Sequence, residues 1–517
     1  MIIIWTILEA LVLSCCLVMS GWRLLHYFQL ESYQLPGYFR SVRRNVKKSL
    51  LPGLAMAAVG VLACVLHLPA ALRMALVALM AGLLFSRAKG EKLKKPFVVT
   101  ERVKRLIAMH AATAFGVALA AHAALPDVLF FLLPALEAAL IALAAVCAQP
   151  IEKHINQQFA DDAKRRLEQN PNLIRIGITG SYGKTSTKFL LRDILSVRYN
   201  VLATPSSFNT PMGVTRVIRE QLMPSHQVFI AEMGARHVGD IKELVELVHP
   251  QIGLLTSVGP QHLDTFGTIE RIKNTKYELI EGLPENGTAV FARDGAICEE
   301  LYGRCTLSEK YMPGDLMAAS EIENGPWGTR FTLTDTKTGE SAKCQTRLLG
   351  EHSIANLLLC CTAARVLGMS LEEIAAGVAR CQPVEHRLQL LDGGAGVTII
   401  DDAFNANPVG AQAALRVLEN FPGRRIIVTP GMVELGGEEA QFNRKFGEQM
   451  ARSVDIAFLV GRKHTQPIVE GLVSAGFAQE NIHVVGSLEE STKLLHAMMR
   501  AGDVVLYEND LPDNYSE

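Results

Sequence analysis

The stretch Gly180-Ser181-Tyr182-Gly183-Lys184-Thr185-Ser186 follows the apolar run Leu173-Ile174-Arg175-Ile176-Gly177-Ile178-Thr179 and precedes the helical pattern Lys188-Phe189-Leu190-Leu191-Arg192-Asp193-Ile194-Leu195. A strand that passes through a glycine turn into a helix aims several backbone N–H groups at one spot, and the helix N-terminus favours an anion there. Gly180 and Gly183 let the backbone approach phosphates, Lys184 reaches the outer phosphates, and the Thr185 hydroxyl is a magnesium ligand; Ser181 and Ser186 complete the cradle. Ile178 stands where the longer form of this motif has its first glycine, so the match is to the shorter G-x-x-G-K-[ST] form. The plainer alternative is a ligand-free glycine turn, but Gly-Lys-Thr at the strand-to-helix junction favours ATP or GTP phosphates. The loop alone names no reaction.

Working outward, the 517 residues divide into two kinds of sequence. Nearly all long apolar runs lie before residue 150: about Ile2 to Ser20, Leu51 to Leu68, Ala70 to Ser86, Leu106 to Leu125 and Val128 to Ala148. Each is near the ~20 residues that a bilayer requires. Only Pro69 and Arg73 interrupt the second and third, which reads as a helical hairpin with a single kinked segment as the rival. The first run lacks a basic leader and a small-residue cleavage site, so it reads as a retained anchor rather than a signal peptide. Arg40, Arg43, Arg44, Lys47 and Lys48 lie between runs one and two, and Arg87, Lys89, Lys92, Lys94, Lys95, Arg102, Lys104 and Arg105 lie between runs three and four. The positive-inside rule then places both basic loops and everything after Ala148 in the cytoplasm, with the N-terminus outside. The expected location is the inner or plasma membrane, multi-pass, with a lipid bilayer as partner. Glu9 and Glu137 are carboxylates inside apolar runs, which makes them candidates for function.

A formal net charge of −1 gives no reason to expect nucleic acid, since membrane topology accounts for the basic clusters. The ten cysteines include no C-x-x-C, so neither a zinc ribbon nor a disulfide framework is expected.

From 151 to 170 the chain is polar and of mixed charge, a connecting helix ending at Asn170-Pro171. Beyond it, Val228 to Ala231, Ile252 to Thr256 and Ala289 to Phe291 are short apolar runs separated by helical segments, as a largely parallel sheet requires. Trp327 to Leu333 and Lys343 to Leu349 read as a hairpin, followed by an apolar helix from Ser353 to Leu367. A second alternation follows Pro383, with strands expected at Val397 to Ile400, Arg425 to Val428, Ile456 to Val460, His483 to Val485 and Val504 to Leu506. The expected fold is an N-terminal α-helical transmembrane region (1–150, about five spans), a connecting helix (151–170), and two α/β domains: a central P-loop ATPase domain (171–383) and a C-terminal Rossmann-like domain (384–517). A crevice at the carboxyl ends of the strands is the expected site.

Glu232-Met233-Gly234 ends a strand, His262 follows Thr256-Ser257-Val258-Gly259-Pro260, and Lys276 and Glu278 share the next helix. With Lys184 and Thr185 these are residue types that a magnesium-triphosphate site needs. The ordered strings TGSYGKTS, ATPSSFNTPMG, AEMGA, GPQHLDTFGT, NTKYELIEGLPENG, GEHSIAN, EHRLQ and DDAFNANP run from Thr179 to Pro408. On these motifs the chain resembles the Mur ligase family, the ATP-dependent amide-bond ligases of peptidoglycan precursor synthesis. The closest branch looks like the ligases that add D-alanyl-D-alanine to a UDP-N-acetylmuramoyl-tripeptide. The resemblance covers about Ile174 to the C-terminus, and membrane runs stand where that branch has its UDP-sugar-binding domain.

The resemblance implies an active site between the two cytoplasmic domains, with ATP and Mg2+ as cofactors. Lys184 and Thr185 would hold the phosphates and one magnesium, and Glu232 and His262 a second. Lys276 matches the family's carbamylated lysine, which serves as an anionic magnesium ligand. Asn356 would face the adenine, Arg387 and Asp402 would reach ATP from the last domain, and Asn209 matches a substrate-side position. The implied partners are an envelope precursor carrying a carboxylate and an amino acid or dipeptide amine, joined through an acyl phosphate. The chain departs from the family's usual residues at Ala292, Ser353, Phe404 and Gly431. A poly-γ-glutamate-type amide ligase is the rival within enzymes, against which the complete last domain speaks. A glutaminase-coupled amidating ligase would carry a cysteine ribbon that is missing. From another class, a transporter or scaffold with an inactive nucleotide sensor is disfavoured by the intact Lys184, Glu232, His262, Lys276 and Arg387.

Overall fold

The structure is a computed structural model, and it describes residues 2–90, 96–206, 208–261, 263–325, 327–403, 407–433, 435–462 and 464–510. The chain forms two compact units, 1–158 and 159–517.

The first unit contains α1 (Ile2–Ser20), α2 (Trp22–Leu30), α3 (Leu35–Arg44), α4 (Val46–Val65), α5 (Ala70–Lys89), α6 (Glu101–Ala124), α7 (Asp127–Phe130) and the start of α8 (Glu137–Glu168). Five helical stretches in it are long and apolar enough to cross a membrane, by length and composition. α4 and α5 are separate helices packed on each other, which favours the hairpin over a single kinked segment. The run from Val128 is not one helix: after α7 the chain makes a 3₁₀ turn at Leu133–Leu136 before α8 begins. Pro134 lies in that turn, and its carbonyl sits so close to Gly53 of α4 that any Cβ there would overlap it; Gly60 similarly meets the Phe131 ring. Glycines at such contacts let neighbouring elements approach closely. α8 then continues without interruption through 151–168, so the expected fifth span and the connecting helix are one element.

The two carboxylates that lie in apolar runs, Glu9 and Glu137, have histidine partners. His110 Nε2 lies 2.9 Å from Glu137 Oε1 with both side chains buried, and His122 Nε2 lies 2.5 Å from Glu9 Oε2. Each pair ties α6 to another helix, which explains the two acids as packing groups.

The second unit opens with β1 (Ile174–Thr179) inside a six-stranded parallel sheet of order β2-β3-β1-β4-β5-β6. Its other strands are β2 (Val201–Ala203), β3 (Val228–Glu232), β4 (Ile252–Leu255), β5 (Thr288–Phe291) and β6 (Glu309–Tyr311). Between them run α9 (Lys184–Leu195), α10 (Pro211–Gln221), α11 (Asp240–Val248), α12 (Leu263–Phe266), α13 (Ile269–Glu281) and α14 (Gly295–Arg304). Strands buried on both faces read as continuous apolar runs, and alternate residues of β3 serve two cores: Phe229 and Ala231 on one side, Val228 and Ile230 on the other. The register places Gly177 beside Gly253, and a Cβ at Gly177 would lie 2.7 Å from Leu279 Cδ1. This flat glycine pair lets α13 lie close to the sheet and carries Lys276 toward the end of β1.

The expected hairpin is a three-stranded antiparallel meander of β7 (Met317–Gly325), β8 (Gly328–Asp335) and β9 (Ser341–Thr346), followed by α15 (Glu351–Val366) and α16 (Leu371–Arg380). The last domain is a sheet of order β10-β11-β15-β12-β13-β14 with only β10 antiparallel. Its strands are β10 (Gln389–Asp392), β11 (Thr398–Asp402), β12 (Arg425–Thr429), β13 (Ile456–Val460), β14 (Ile482–Val485) and β15 (Val504–Glu508), joined by α17 (Pro408–Glu419), α18 (Glu439–Ser453), α19 (Gln466–Ser474) and α20 (Leu488–Met498).

Candidate active site

β1 ends at Thr179 and the chain turns through Gly180, at φ 148, and Gly183, at φ 81, before α9 begins at Lys184. Both glycines are required by their surroundings. A Cβ at Gly180 would overlap Thr256 Oγ1, and one at Gly183 would lie 2.9 Å from Asn356 Oδ1. The loop is laced to the end of β4: Ser181 N donates to Ser257 O at 2.7 Å, Ser181 Oγ to Gly259 O at 2.9 Å, and Thr256 Oγ1 to Tyr182 O at 2.6 Å. Such a rigid loop holds its remaining N–H groups ready for an anion.

Lys184 folds over this loop, its Nζ donating to Gly180 O at 2.7 Å and Ser181 O at 2.8 Å. The residue as a whole is half-buried, but enclosure of the ammonium pushes its pKa down to about 8; the Arg387 charge adds to this and Glu232 opposes it. The next residue, Thr185, donates its hydroxyl to Glu232 Oε1 at 3.1 Å, and Ser186 follows, half-buried, in the first turn of α9. Glu232 is 1% exposed at the end of β3. Its Oε1 also accepts from Asn209 Nδ2 at 3.0 Å, its Oε2 accepts from Lys188 Nζ at 2.9 Å, and its backbone N–H donates to Thr204 Oγ1 at 3.1 Å.

Lys276 is 3% exposed. Burial first, and then the charge of Lys184, push its pKa down to about 7, while Asp240 and Glu278 pull the other way. Its neighbour Glu278 is not placed as a metal ligand. Its two oxygens accept from Gly239 N at 3.0 Å and Lys242 N at 2.9 Å, so it anchors the N-terminus of α11, where a carboxylate is favoured by the helix dipole.

Arg387 sits between His386, at φ 59, and Leu388, at φ 45, in the turn that leads into β10. Burial holds its guanidinium below the ordinary arginine range, and Asp402 and Glu232 pull it back up. The last domain therefore brings a cation into the field of Lys184 and Glu232. Asp402 is tied to the same turn. Its Oδ1 accepts from Leu388 N at 3.2 Å, which fixes the Arg387 turn. Asn356 meets the phosphate loop, accepting from Thr187 Oγ1 at 3.3 Å beside Gly183. His262 and Phe404 lie outside the described residues.

Two residues escaped the sequence reading. Lys188 is fully buried and carries the ion pair to Glu232, and Glu508 lies beside Asp402 in the register of β15 and β11. Lys188 did leave a signal: it falls on the buried stripe of α9 with Leu191 and Leu195, where an apolar residue belongs.

Glu508 accepts from Thr429 Oγ1 at 3.1 Å, and burial, with Asp402 next, pushes its carboxyl up to about 8; burial also raises Asp402 to about 6. Unfolded carboxyls titrate near ~4, so the folded state holds protons that the unfolded chain releases. The stability from this pair is complete below about pH 4 and is lost as pH rises through the two raised values. Glu508→Gln keeps the shape and an acceptor for Thr429. The fall in hydrogen-exchange protection of β11, β12 and β15 between pH 5 and 9 is expected to be smaller in this variant by about 4 kcal/mol. Equal falls in the two proteins would show that Glu508 does not titrate in this way.

Residues 178–364 match the family model described as the Mur ligase middle domain, and residues 386–507 match that of the Mur ligase, glutamate ligase domain. The chain is 34% identical over 362 residues to the UDP-N-acetylmuramoyl-tripeptide–D-alanyl-D-alanine ligase of Mycobacterium tuberculosis, covering 64% of this chain and 69% of that protein. It is 32% identical over 323 residues to the enzyme of the same name from Escherichia coli, covering 61% and 70%. Among solved structures, MurF from Acinetobacter baumannii superposes with TM-score 0.63 at 27% identity, covering 69% of this chain and 77% of that one. The MurF ligase of Thermotoga maritima in complex with ADP superposes with TM-score 0.61 at 25% identity, covering 69% and 80%.

Proposed function

The chain belongs to the Mur ligase family of ATP-dependent ligases, and from that premise we propose that it is a membrane-anchored carboxylate–amine ligase of cell-envelope synthesis. The leading substrates are those of its relatives: a muramoyl-tripeptide carboxylate as acceptor and D-alanyl-D-alanine as amine. The observation that carries this reading is the convergence of Lys184, Thr185, Glu232, Lys276 and Arg387 at the carboxyl end of β1 and β3.

The residues fit ATP and magnesium. Gly180 and Gly183 let the loop pack against Thr256 and Asn356 at positive φ, and Thr185 Oγ1 with Glu232 Oε1 forms a hard-oxygen pair of the kind magnesium takes. Thr185 and Glu232 would hold metal, together with Lys276 as its carbamate and His262. Magnesium, when bound, supplies positive charge that lets an anionic carboxylate approach an anionic γ-phosphate.

The protein's own residues do the rest. Lys184 neutralises the outer phosphates, and Arg387, set by Asp402, adds a second cation from the last domain as charge develops. The acceptor carboxylate attacks the γ-phosphate, ADP leaves, and the amine displaces phosphate from the acyl phosphate to form the amide. Closing the last domain over the site protects the acyl phosphate from water. Asn209, hydrogen-bonded to Glu232, lies on the acceptor side.

The apolar helices of the first unit anchor the enzyme, with the N-terminus outside and the ligase domains in the cytoplasm. The matched family models begin at residue 178, and the resemblance implies that the first unit stands where that branch carries its UDP-sugar domain. A lipid-linked acceptor is the reading this substitution favours. The test is ADP release by the full-length protein in lipid nanodiscs, supplied with ATP, Mg2+, D-alanyl-D-alanine and either soluble UDP-muramyl tripeptide or its lipid-linked counterpart. Turnover with the lipid form alone is the expected result. Turnover with the soluble form shows a tethered ligase with ordinary specificity, and silence with both moves the acceptor to another envelope polymer.

A further inference from the structure

We propose that Lys188 is a positioning residue that couples the phosphate loop to the loop carrying Asn209, and thereby shapes the subsite for the acceptor carboxylate. The proposal rests on the ligase reading above. Its geometry does not.

A fully buried lysine is rare, because its charge must be met by a partner and its flexible stem must be ordered. Lys188 is 0% exposed, and its ammonium is shared between two elements that are distant in sequence. It donates to Glu232 Oε2 at 2.9 Å and to the carbonyl of Ser206. Ser206 is itself held at φ 43, a left-handed conformation that a serine adopts at a cost and keeps only where its surroundings fix it. A few residues further on, Asn209 returns to the same carboxylate through Glu232 Oε1 at 3.0 Å, and its carbonyl accepts from Gly234 N at 2.8 Å.

The two oxygens of Glu232 are thus divided. Oε1 faces Thr185 and Asn209, and Oε2 is taken by Lys188. Pinning Oε2 leaves the carboxylate one orientation, the one that offers Oε1 to the Thr185 hydroxyl. Holding the Ser206 carbonyl constrains where Asn209 meets Glu232. One ammonium therefore sets the distance between the nucleotide side, on α9, and the acceptor side, at Asn209. Lys188 donates to no atom of the phosphate loop itself, so the loop, Lys184 and Thr185 keep their hold on ATP and its magnesium without it, and what Lys188 sets is the Glu232 side.

The test uses the full-length protein in nanodiscs with two variants: Lys188→Met, which removes the ammonium and keeps the stem, and Ser206→Pro, which forbids the left-handed carbonyl and leaves the buried pair intact. With whichever acceptor the wild type turns over, both variants are expected to raise the acceptor KM by about 20-fold or more while the Mg·ATP Kd stays within about threefold. Independently of any acceptor, hydrogen exchange of the peptide covering 204–214 is expected to quicken about tenfold or more in both variants, with the peptide covering 180–190 still protected by Mg·ATP as in the wild type. Unchanged exchange in 204–214 overturns the proposal, as does parallel loss of Mg·ATP protection, which would mark Lys188 as general scaffolding. Silence of the wild type with both acceptors refutes the substrate assignment alone, since the exchange readout then decides the role of Lys188.

Discussion

Lys184→Ala is expected to lower ligation by at least about a thousandfold while the protein stays folded, the size of effect seen when a cation facing a transferring phosphoryl group is removed. The variant loses its charge at the one place where the backbone converges on phosphates. Its fold is spared because Lys184 is half-buried and, among the described residues, donates to the carbonyls of Gly180 and Ser181, in a loop already fixed through Ser257, Gly259 and Thr256. ADP release measures the loss, and an unchanged thermal midpoint shows that folding is intact. Activity within tenfold of wild type would remove Lys184 from the mechanism.

A second consequence of the same substitution separates this arrangement from an isolated phosphate loop. The Lys184 charge is one of the two influences that push the Lys276 pKa down. Removing it raises that pKa, so the two lysines should not behave as independent contributors. The losses in Lys184→Ala and Lys276→Ala, expressed as free energies, are expected to sum to more than the loss in the double variant.

Several parts of this site were legible in the sequence because they are local. The phosphate loop is a contiguous string whose glycines each answer a close contact, Gly180 with Thr256 and Gly183 with Asn356. The inner strands β1, β3, β4 and β5 were legible because both of their faces are buried, which writes them as unbroken apolar runs, whereas the short, partly exposed edge strands β2, β6 and β10 were not read. β7 was missed for the opposite reason: most of its residues are partly or fully exposed, and a register shift between Ser320 and Glu323 breaks its alternation. The break before α8 was missed because composition alone reads Val128 to Ala148 as one apolar run, and what interrupts it is the fit of Phe131 and Pro134 against Gly60 and Gly53 on another helix. Lys188 illustrates the same limit in the site itself. A lysine in an amphipathic helix normally marks the solvent face, and Glu232 and the Ser206 carbonyl, neither of them local to α9, turn this one inward. Glu278 errs the other way, since proximity in sequence to Lys276 suggested a shared task and the fold gives it the N-terminus of α11 instead.

Lys276→Ala is expected to cost at least about a hundredfold in ligation, and the loss should be partly reversed by high concentrations of acetate or formate. The argument starts from protonation. A carbamate forms when a neutral amine attacks carbon dioxide, giving the N-carboxylate and releasing a proton. An ordinary lysine offers about 1 neutral amine in 2,500 at pH 7. Lys276, with its pKa pushed down to about 7 by burial and by Lys184, is half neutral at that pH. Once formed, the carbamate reverses the charge at this position from cationic to anionic, a favourable change beside Lys184 and a usable one beside magnesium. The sign of the pH dependence follows: the neutral fraction, and with it carbamate formation, falls about tenfold per unit below pH 6. Carbon-13 bicarbonate should give a carbamate resonance in the wild type that is absent from Lys276→Ala and weakened, at neutral pH, in Lys184→Ala. A wild type without that resonance, whose activity is indifferent to bicarbonate, would leave Lys276 as a buried cation and assign the second metal position to Glu232 without it.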